Sequence, residues 1–356
     1  MTTRTSPATA NAAPLSVLAM FSVGWSLLRQ LTRPMTTVLI VMQGAFALAV
    51  IVAGQPIVAT PVLSPLAVVA AIAALACWYA HAVGTNDLTD AVTDRINLRH
   101  TSAETERPLV NGSVGVRGLR RFTWLLAAVT VIATLIVDLR LWPALLGMFA
   151  LNLAYSVRPV RLAGRGGLAQ LVLPLGYVVV PAIFAWALAD FAPLRPGALL
   201  SLAGLFVLFA GRLMLKDLRD VRGDRIVGKR TFLVRHGVTS TVRVAGACLG
   251  AGAVIMLTGV SWLATPVVTP LVLAVVLVPG TCGVVAVLRR IAVARIEDQV
   301  RLAAVVGRIG TGWLLCCLLA VTQPAGSAGG EFALLVAISA AMFALSTRAI
   351  LPRAAR

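Results

Sequence analysis

Two short stretches hold most of the chemistry this chain can offer. The first, from Gly84 to Arg95, carries Asn86, Asp87, Asp90 and Asp94 in the pattern NDxxDxxxD. On a helix, Asn86, Asp90 and Asp94 follow one another about 6 Å apart, each rotated about 40 degrees from the last, so they share one face. Like charges at that spacing repel and destabilise the helix, unless a cation sits between them. The second stretch, Lys216 to Arg225, places Asp217, Asp220 and Asp224 at i, i+3 and i+7, again on one face. Ligands that are all oxygen favour magnesium over zinc. Magnesium takes one or two protein carboxylates and completes its shell with water and phosphate oxygens. Two such clusters facing each other therefore suit a pair of ions bridging a diphosphate. Arg107, Lys216, Lys229 and Arg230 lie nearby in sequence and could neutralise what the metals leave.

The elements that must position these clusters are built for lipid. The 356 residues are 59% hydrophobic and 12% charged, with a mean hydropathy of +0.92, a balance foreign to water-soluble domains of this size. Crossing about 30 Å of hydrocarbon takes about 20 helical residues. Apolar runs of that kind lie near 36–54, 62–82, 121–138, 141–156, 168–188, 197–216, 240–260, 267–288, 303–322 and 331–347. The fourth and last are the shortest, so the expected fold is an all-α polytopic bundle of nine or ten transmembrane helices. Four spans separate Asp90 from Asp224, and an even number of crossings returns the chain to the same side, where the two clusters can meet.

A net charge of +18 could indicate a nucleic-acid partner, but the charge is distributed by loop. With the N-terminus inside, only Arg140 and Arg195 of the 31 Lys and Arg fall in outward connections. That is the positive-inside pattern, and it reports topology and anionic membrane lipid instead of nucleic acid. It predicts a multi-pass protein of the cell inner membrane with both termini cytoplasmic. Residues 1–13 lack the apolar core of a removable signal peptide and read as a disordered tail. Leu15 to Arg33 alternates apolar residues with Arg29 and Arg33, as an interfacial amphipathic helix would. The expected organisation is a tail and interfacial helix over 1–35, a catalytic membrane domain over 36–322, and an extra helix with a basic tail over 323–356. All five Cys sit in apolar spans without metal-ligand spacing and read as packing residues.

The plain alternative for either acidic cluster is a solvated loop in which Arg219, Arg222 and Arg225 pair with the neighbouring acids. Two clusters on one side, each at a helix end, argue against it. An ion channel or carrier would place its acids within the spans, where they mark ion pathways, whereas these lie at inner helix ends.

In this arrangement the sequence resembles the UbiA superfamily of intramembrane prenyltransferases. The resemblance rests on Asn86 to Asp94 and Asp217 to Asp224. It extends to Arg107-Pro108-Leu109 with Gly112, to Gly228-Lys229-Arg230-Thr231, and to Tyr155-Ser156 with Pro159 and Arg161. It covers most of residues 30–322. The chain departs from the family pattern at Met35, Thr36, Arg158 and Ala163, and in the length of Ile96 to Glu106, changes that touch the acceptor side and the cap more than the metal site.

The resemblance implies a central cavity capped on the cytoplasmic side, in which Mg2+ holds a polyprenyl diphosphate and the apolar tail runs between helices. It assigns Asn86, Asp90, Asp94, Asp217, Asp220 and Asp224 to the metals with Asp87 as a helper, and Arg107, Lys216, Lys229 and Arg230 to the diphosphate. Tyr155 and Ser156 could hydrogen-bond the diphosphate or acceptor. Trp78 and Tyr79 could wall an allylic cation, although packing explains them as well. His81 reads as a hydrogen-bonded helix residue, His100 and His236 as loop residues. The expected activity is prenyl transfer to an acceptor, with aromatic rings ahead of lipid or sugar acceptors. A membrane terpene cyclase using the same ionisation and a non-enzymatic carrier are the competing readings.

Overall fold

The computed structural model describes residues 17–53, 55, 63–98, 107–263 and 268–322. The expected N-terminal tail over 1–13, His100, most of the Ile96 to Glu106 stretch and the expected helix over 331–347 lie outside the described residues, as do the side chains of Arg219 and Arg222.

The described residues form twelve α-helices in order: α1 (Val17–Thr32), α2 (Pro34–Ala53), α3 (Pro65–Leu98), α4 (Val116–Val137), α5 (Trp142–Ser156), α6 (Gly167–Pro174), α7 (Val180–Leu188), α8 (Pro196–Met214), α9 (Asp217–Ile226), α10 (Phe232–Ser261), α11 (Val268–Val293) and α12 (Ile296–Thr322). The protein is an integral membrane helical bundle. Among the described residues eight units are long and apolar enough to cross a bilayer: α2, α3, α4, α6 with α7, α8, α10, α11 and α12. Helix α5 has only 15 residues. Its ends nevertheless lie at opposite faces of the bundle. At one end Arg140 donates to Asp138 and to Asp190, each at 2.7 Å, tying the α4–α5 connection to the α7–α8 connection. At the other, Tyr155 and Ser156 face the cavity that holds both acidic motifs.

The bundle packs as two halves. Buried residues of α3, α4, α5 and α7 form one core around Trp78, Leu119, Leu126 and Phe184. Those of α8, α10, α11 and α12 form another around Leu205, Leu208, Met256 and Leu314. Tyr177 packs against both. In lipid no hydrophobic effect drives helices together, so close contact relies on small residues. Helices α8 and α10 use them reciprocally. Gly204 faces the Met256 backbone, Gly252 faces the Leu208 backbone, and Gly259 faces the Ser201 backbone.

Between α6 and α7 the chain makes a π-helical turn over Leu175–Val179. Pro181 explains it: the ring has no N–H to return to the Tyr177 carbonyl, so the regular ladder cannot continue. The turn sets Gly176 and Tyr177 into the cavity wall. One non-helical feature went unforeseen, a parallel pairing of β1 (Arg165–Gly166) with β2 (Arg230–Thr231). It fastens the α5–α6 loop to the α9–α10 loop. His236, expected in a loop, lies in the first segment of α10, stacked on Phe232 at 4.5 Å, just before the chain breaks helical geometry at Gly237.

Candidate active site

Helix α3 has 34 residues, about 51 Å at 1.5 Å each, which exceeds the hydrocarbon thickness by several turns. The first acidic motif rides on that excess. Only two residues separate the end of α8 from α9, which carries the second motif from its first residue, Asp217. Both motifs line one cavity of about 170 Å³.

Of the residues expected to carry chemistry, Asn86, Asp90, Asp94, Arg107, Tyr155, Lys216, Asp217, Asp220, Asp224 and Lys229 line this cavity. Two expected residues do not. Asp87 is buried and turns to Arg107 and Arg33, the latter at 3.9 Å. Arg230, expected at the diphosphate, is exposed with its backbone paired to Arg165 and does not line the cavity. Side chains alternate across an extended segment, so where Lys229 turns inward its neighbour turns out.

The acids are already engaged by cations. Asp90, its side chain 7% exposed, accepts from Lys229 Nζ at 2.7 Å and from Arg161. Lys229 also reaches Asp224 at 3.6 Å, and Arg107 spans Asp87 and Asp94, the latter at 3.6 Å. Lys216 donates to the Tyr155 hydroxyl at 2.9 Å, and Gln170 Nε2 donates to Asp217 Oδ2 at 3.0 Å. Burial pushes Asp217 up to about 6; Asp220 and Asp224 add to it and Lys216 opposes it. Burial likewise raises Asp224 to about 6, with Asp220 and Asp90 adding and Lys229 opposing. At both carboxyls burial outweighs the cations placed around them.

Among the described residues no three acidic side chains converge as a preformed metal cage. Magnesium does not need one, since it is content with one or two carboxylates and substrate oxygens. An all-oxygen donor set on two opposed helices fits that ion. Below the acids the wall turns apolar and aromatic. Trp78 is anchored by its indole N–H to the Met148 carbonyl at 3.1 Å. Tyr79 meets Tyr177 edge-on at 5.8 Å, and Tyr177 meets Phe209 at 5.0 Å. His81 is tied off by Asn152, 3.0 Å from its Nδ1.

Several contributors were given no role at the site by the sequence. Arg33 and Arg161 both adopt left-handed backbone, φ 44 and 34, which turns each guanidinium toward an acid. Arg33 precedes Pro34, a local break that could have flagged it. Gln170 and Tyr177 sit on an interrupted helix that reads as one plain apolar run.

This is a membrane-embedded helical bundle with an acidic, cation-bridged cavity at one end and an aromatic wall beneath. Residues 40–303 match the model of the UbiA prenyltransferase family, and the chain belongs to that family. Over 170 residues it is 30% identical to the bacteriochlorophyll synthase 34 kDa chain of Chloroflexus aurantiacus, a match covering 46% of this chain and 51% of that one. The chain thus spans about half the length of this relative. A UbiA homolog from Archaeoglobus fulgidus bound to Cd2+ shares the fold at TM-score 0.57 and 16% identity, over 82% of this chain and 99% of that one. The structure of a UbiA homolog from the same organism bound to GPP and Mg2+ aligns at TM-score 0.52 and 17% identity, over 91% and 99%.

Proposed function

We propose that this protein transfers the prenyl group of a polyprenyl diphosphate to an aromatic acceptor and releases diphosphate. The observation that carries the reading is the junction of the two motifs in one cavity, with cations on the acids and an aromatic wall below. Asn86, Asp90, Asp94, Asp217, Asp220 and Asp224 would hold Mg2+, while Asp87 fixes Arg107. When bound, the metal supplies positive charge to the leaving diphosphate oxygen. Lys229, Arg161 and Arg107 are poised to exchange their carboxylate partners for diphosphate oxygens, and Lys216 is oriented for the same task by Tyr155. The C–O bond breaks with both electrons passing to diphosphate, and C1 of the allylic cation is attacked by a ring carbon of the acceptor, which then loses its proton. Trp78, Tyr79 and Tyr177 present ring faces and edges around the prenyl tail, exclude water and favour the cation. The relative bound to GPP and Mg2+ and the bacteriochlorophyll synthase likeness support this reading. The catalytic unit on this view is 36–322, with the motif side of the bundle facing the cytoplasm.

The test is diphosphate release by the purified protein from geranyl, farnesyl and geranylgeranyl diphosphates, with and without Mg2+ and aromatic acceptors, with products identified by mass. Metal-dependent release that adds a prenyl mass to the acceptor is the expected result. Release that yields only a hydrocarbon or terpene alcohol would replace transfer by cyclisation, and no release with any donor would overturn the reading.

A further inference from the structure

A second concavity lies away from the acidic site, between α10 and α11, with a volume of about 510 Å³. Its polar end is formed by Thr239, Arg243 and Arg289, and its apolar length by Gly246, Ala247 and Val285. Arg243 stands in the second turn after the break at Gly237, and Arg289 just before the last turn of α11, so both belong to the end of the bundle that holds the acidic motifs. Both are exposed, and among the described residues neither makes an ion pair or a side-chain hydrogen bond. Two unneutralised guanidiniums at one groove repel unless an anion lies between them.

The groove faces lipid. Val244 and Val254 of α10 and Leu271, Val275 and Val278 of α11 are all exposed on these helices. Gly246 keeps it open: a Cβ there would meet only Val285, at 4.0 Å, and one on Gly250 would meet nothing. A free phosphate would satisfy the arginines but leave the apolar length empty. An amphiphile fills both, and a basic pocket between transmembrane helices at headgroup depth is a site for acidic lipid heads. We propose that this groove binds an anionic glycerophospholipid from the leaflet on the motif side, its phosphate between Arg243 and Arg289 and an acyl chain along Gly246, Ala247 and Val285.

A ligand that binds only the folded state raises the unfolding midpoint by mass action, so the test needs no catalytic activity. The full-length protein in detergent is melted with added dioleoylphosphatidylglycerol, dioleoylphosphatidylcholine or inorganic phosphate. Phosphatidylglycerol is expected to raise the midpoint saturably and the other two to leave it unmoved. Arg243→Gln with Arg289→Gln should weaken half-saturation about thirtyfold, from about 1 kcal/mol per basic residue near the surface. Gly246→Leu, which fills the apolar length and spares both charges, should weaken it too. Arg120→Gln with Arg121→Gln removes the same charge from exposed positions on α4 and should change nothing. A phosphatidylglycerol response that survives the first two variants, falls equally with the third, or is reproduced by phosphate alone would overturn the site.

Discussion

The α8–α10 seam can be broken with one methyl group. A Cβ on Gly204 would stand 2.2 Å from the Met256 nitrogen and 2.5 Å from its Cα, where ordinary contact begins at 3.4 Å. The obstacle is backbone, so no rotamer change relieves it, and α8 and α10 must part locally by about 1 Å or more. Overpacking of this kind costs about 1–3 kcal/mol. The upper end applies, offset by up to about 1 kcal/mol for replacing Gly with Ala in a helix, which leaves a net loss of about 2 kcal/mol. The displacement also bears on chemistry, because α8 leads directly into Asp217 and α10 begins just after Lys229. Misplacement of about 1 Å between groups that act together can cost about a hundredfold in rate.

Gly250→Ala is the matched control. It lies on the same helix α10, with nothing within 4 Å of the added carbon. Melting and turnover of the two purified variants are compared side by side. Gly204→Ala should melt several degrees lower and turn over about a hundredfold slower, while Gly250→Ala should match or slightly exceed the parent. Equal melting and equal turnover in both variants would show that the seam does not position the site.

Asp90→Ala or Asp224→Ala should abolish turnover, a loss of at least about a thousandfold, with helicity by circular dichroism unchanged; full activity in both would remove these carboxylates from the site. Lys229→Met frees Asp90 and Asp224 of a shared cation, so Mg2+ should bind the substrate-free protein more tightly while KM for the prenyl diphosphate rises about tenfold or more; a fall in both affinities would contradict the exchange of partners. Asp217 and Asp224 are held at about 6 in the folded protein, above the usual value near 3.9. Protonation therefore stabilises the metal-free fold as pH falls through 6, and Mg2+ must expel those protons to bind. If both acids ligate, apparent Mg2+ affinity should drop up to about a hundredfold from pH 7 to pH 5, an effect halved on the logarithmic scale by Asp217→Asn; a flat metal titration across that range would exclude the pair.

The membrane helices were legible because about 20 apolar residues leave few alternatives, and the runs from 36–54 to 303–322 all coincide with helices. The acids were legible because Asp90, Asp94, Asp220 and Asp224 stand out in an apolar chain at helical spacing. Which bases pair with which acids was not. Arg161 and Lys229 are 71 and 139 residues from Asp90, and only tertiary packing brings them there. Nearness in sequence does not separate Arg230 from its neighbour Lys229, which enters the cavity while Arg230 lies outside on a two-residue β pairing too short to show in any pattern. The π turn that delivers Tyr177 to the wall is another silent feature, because Pro174 and Pro181 read equally well as a simple kink.

Charge arithmetic at the cavity leads to one more expectation. Asp87, Asp90, Asp94, Asp217, Asp220 and Asp224 are set against Arg33, Arg107, Arg161, Lys216 and Lys229, so the resting site nearly neutralises itself. A divalent cation arriving alone would have to pull Lys229 and Arg161 from Asp90 and leave them without a counterion. A diphosphate arriving alone would gain the cations but face the same carboxylates newly stripped of theirs. Arriving together, each supplies the partner the other displaces: the acids turn to the metal and the bases to the phosphates. Binding of the two should therefore be strongly cooperative, and by linkage the cooperativity must be reciprocal. Calorimetry with inorganic diphosphate should show at least about tenfold tighter binding with Mg2+ than with Na+ at equal ionic strength, and Lys229→Met should shrink that ratio. Equal affinity in the two salts would mean that the ion pairs seen at rest are not the ones exchanged on binding.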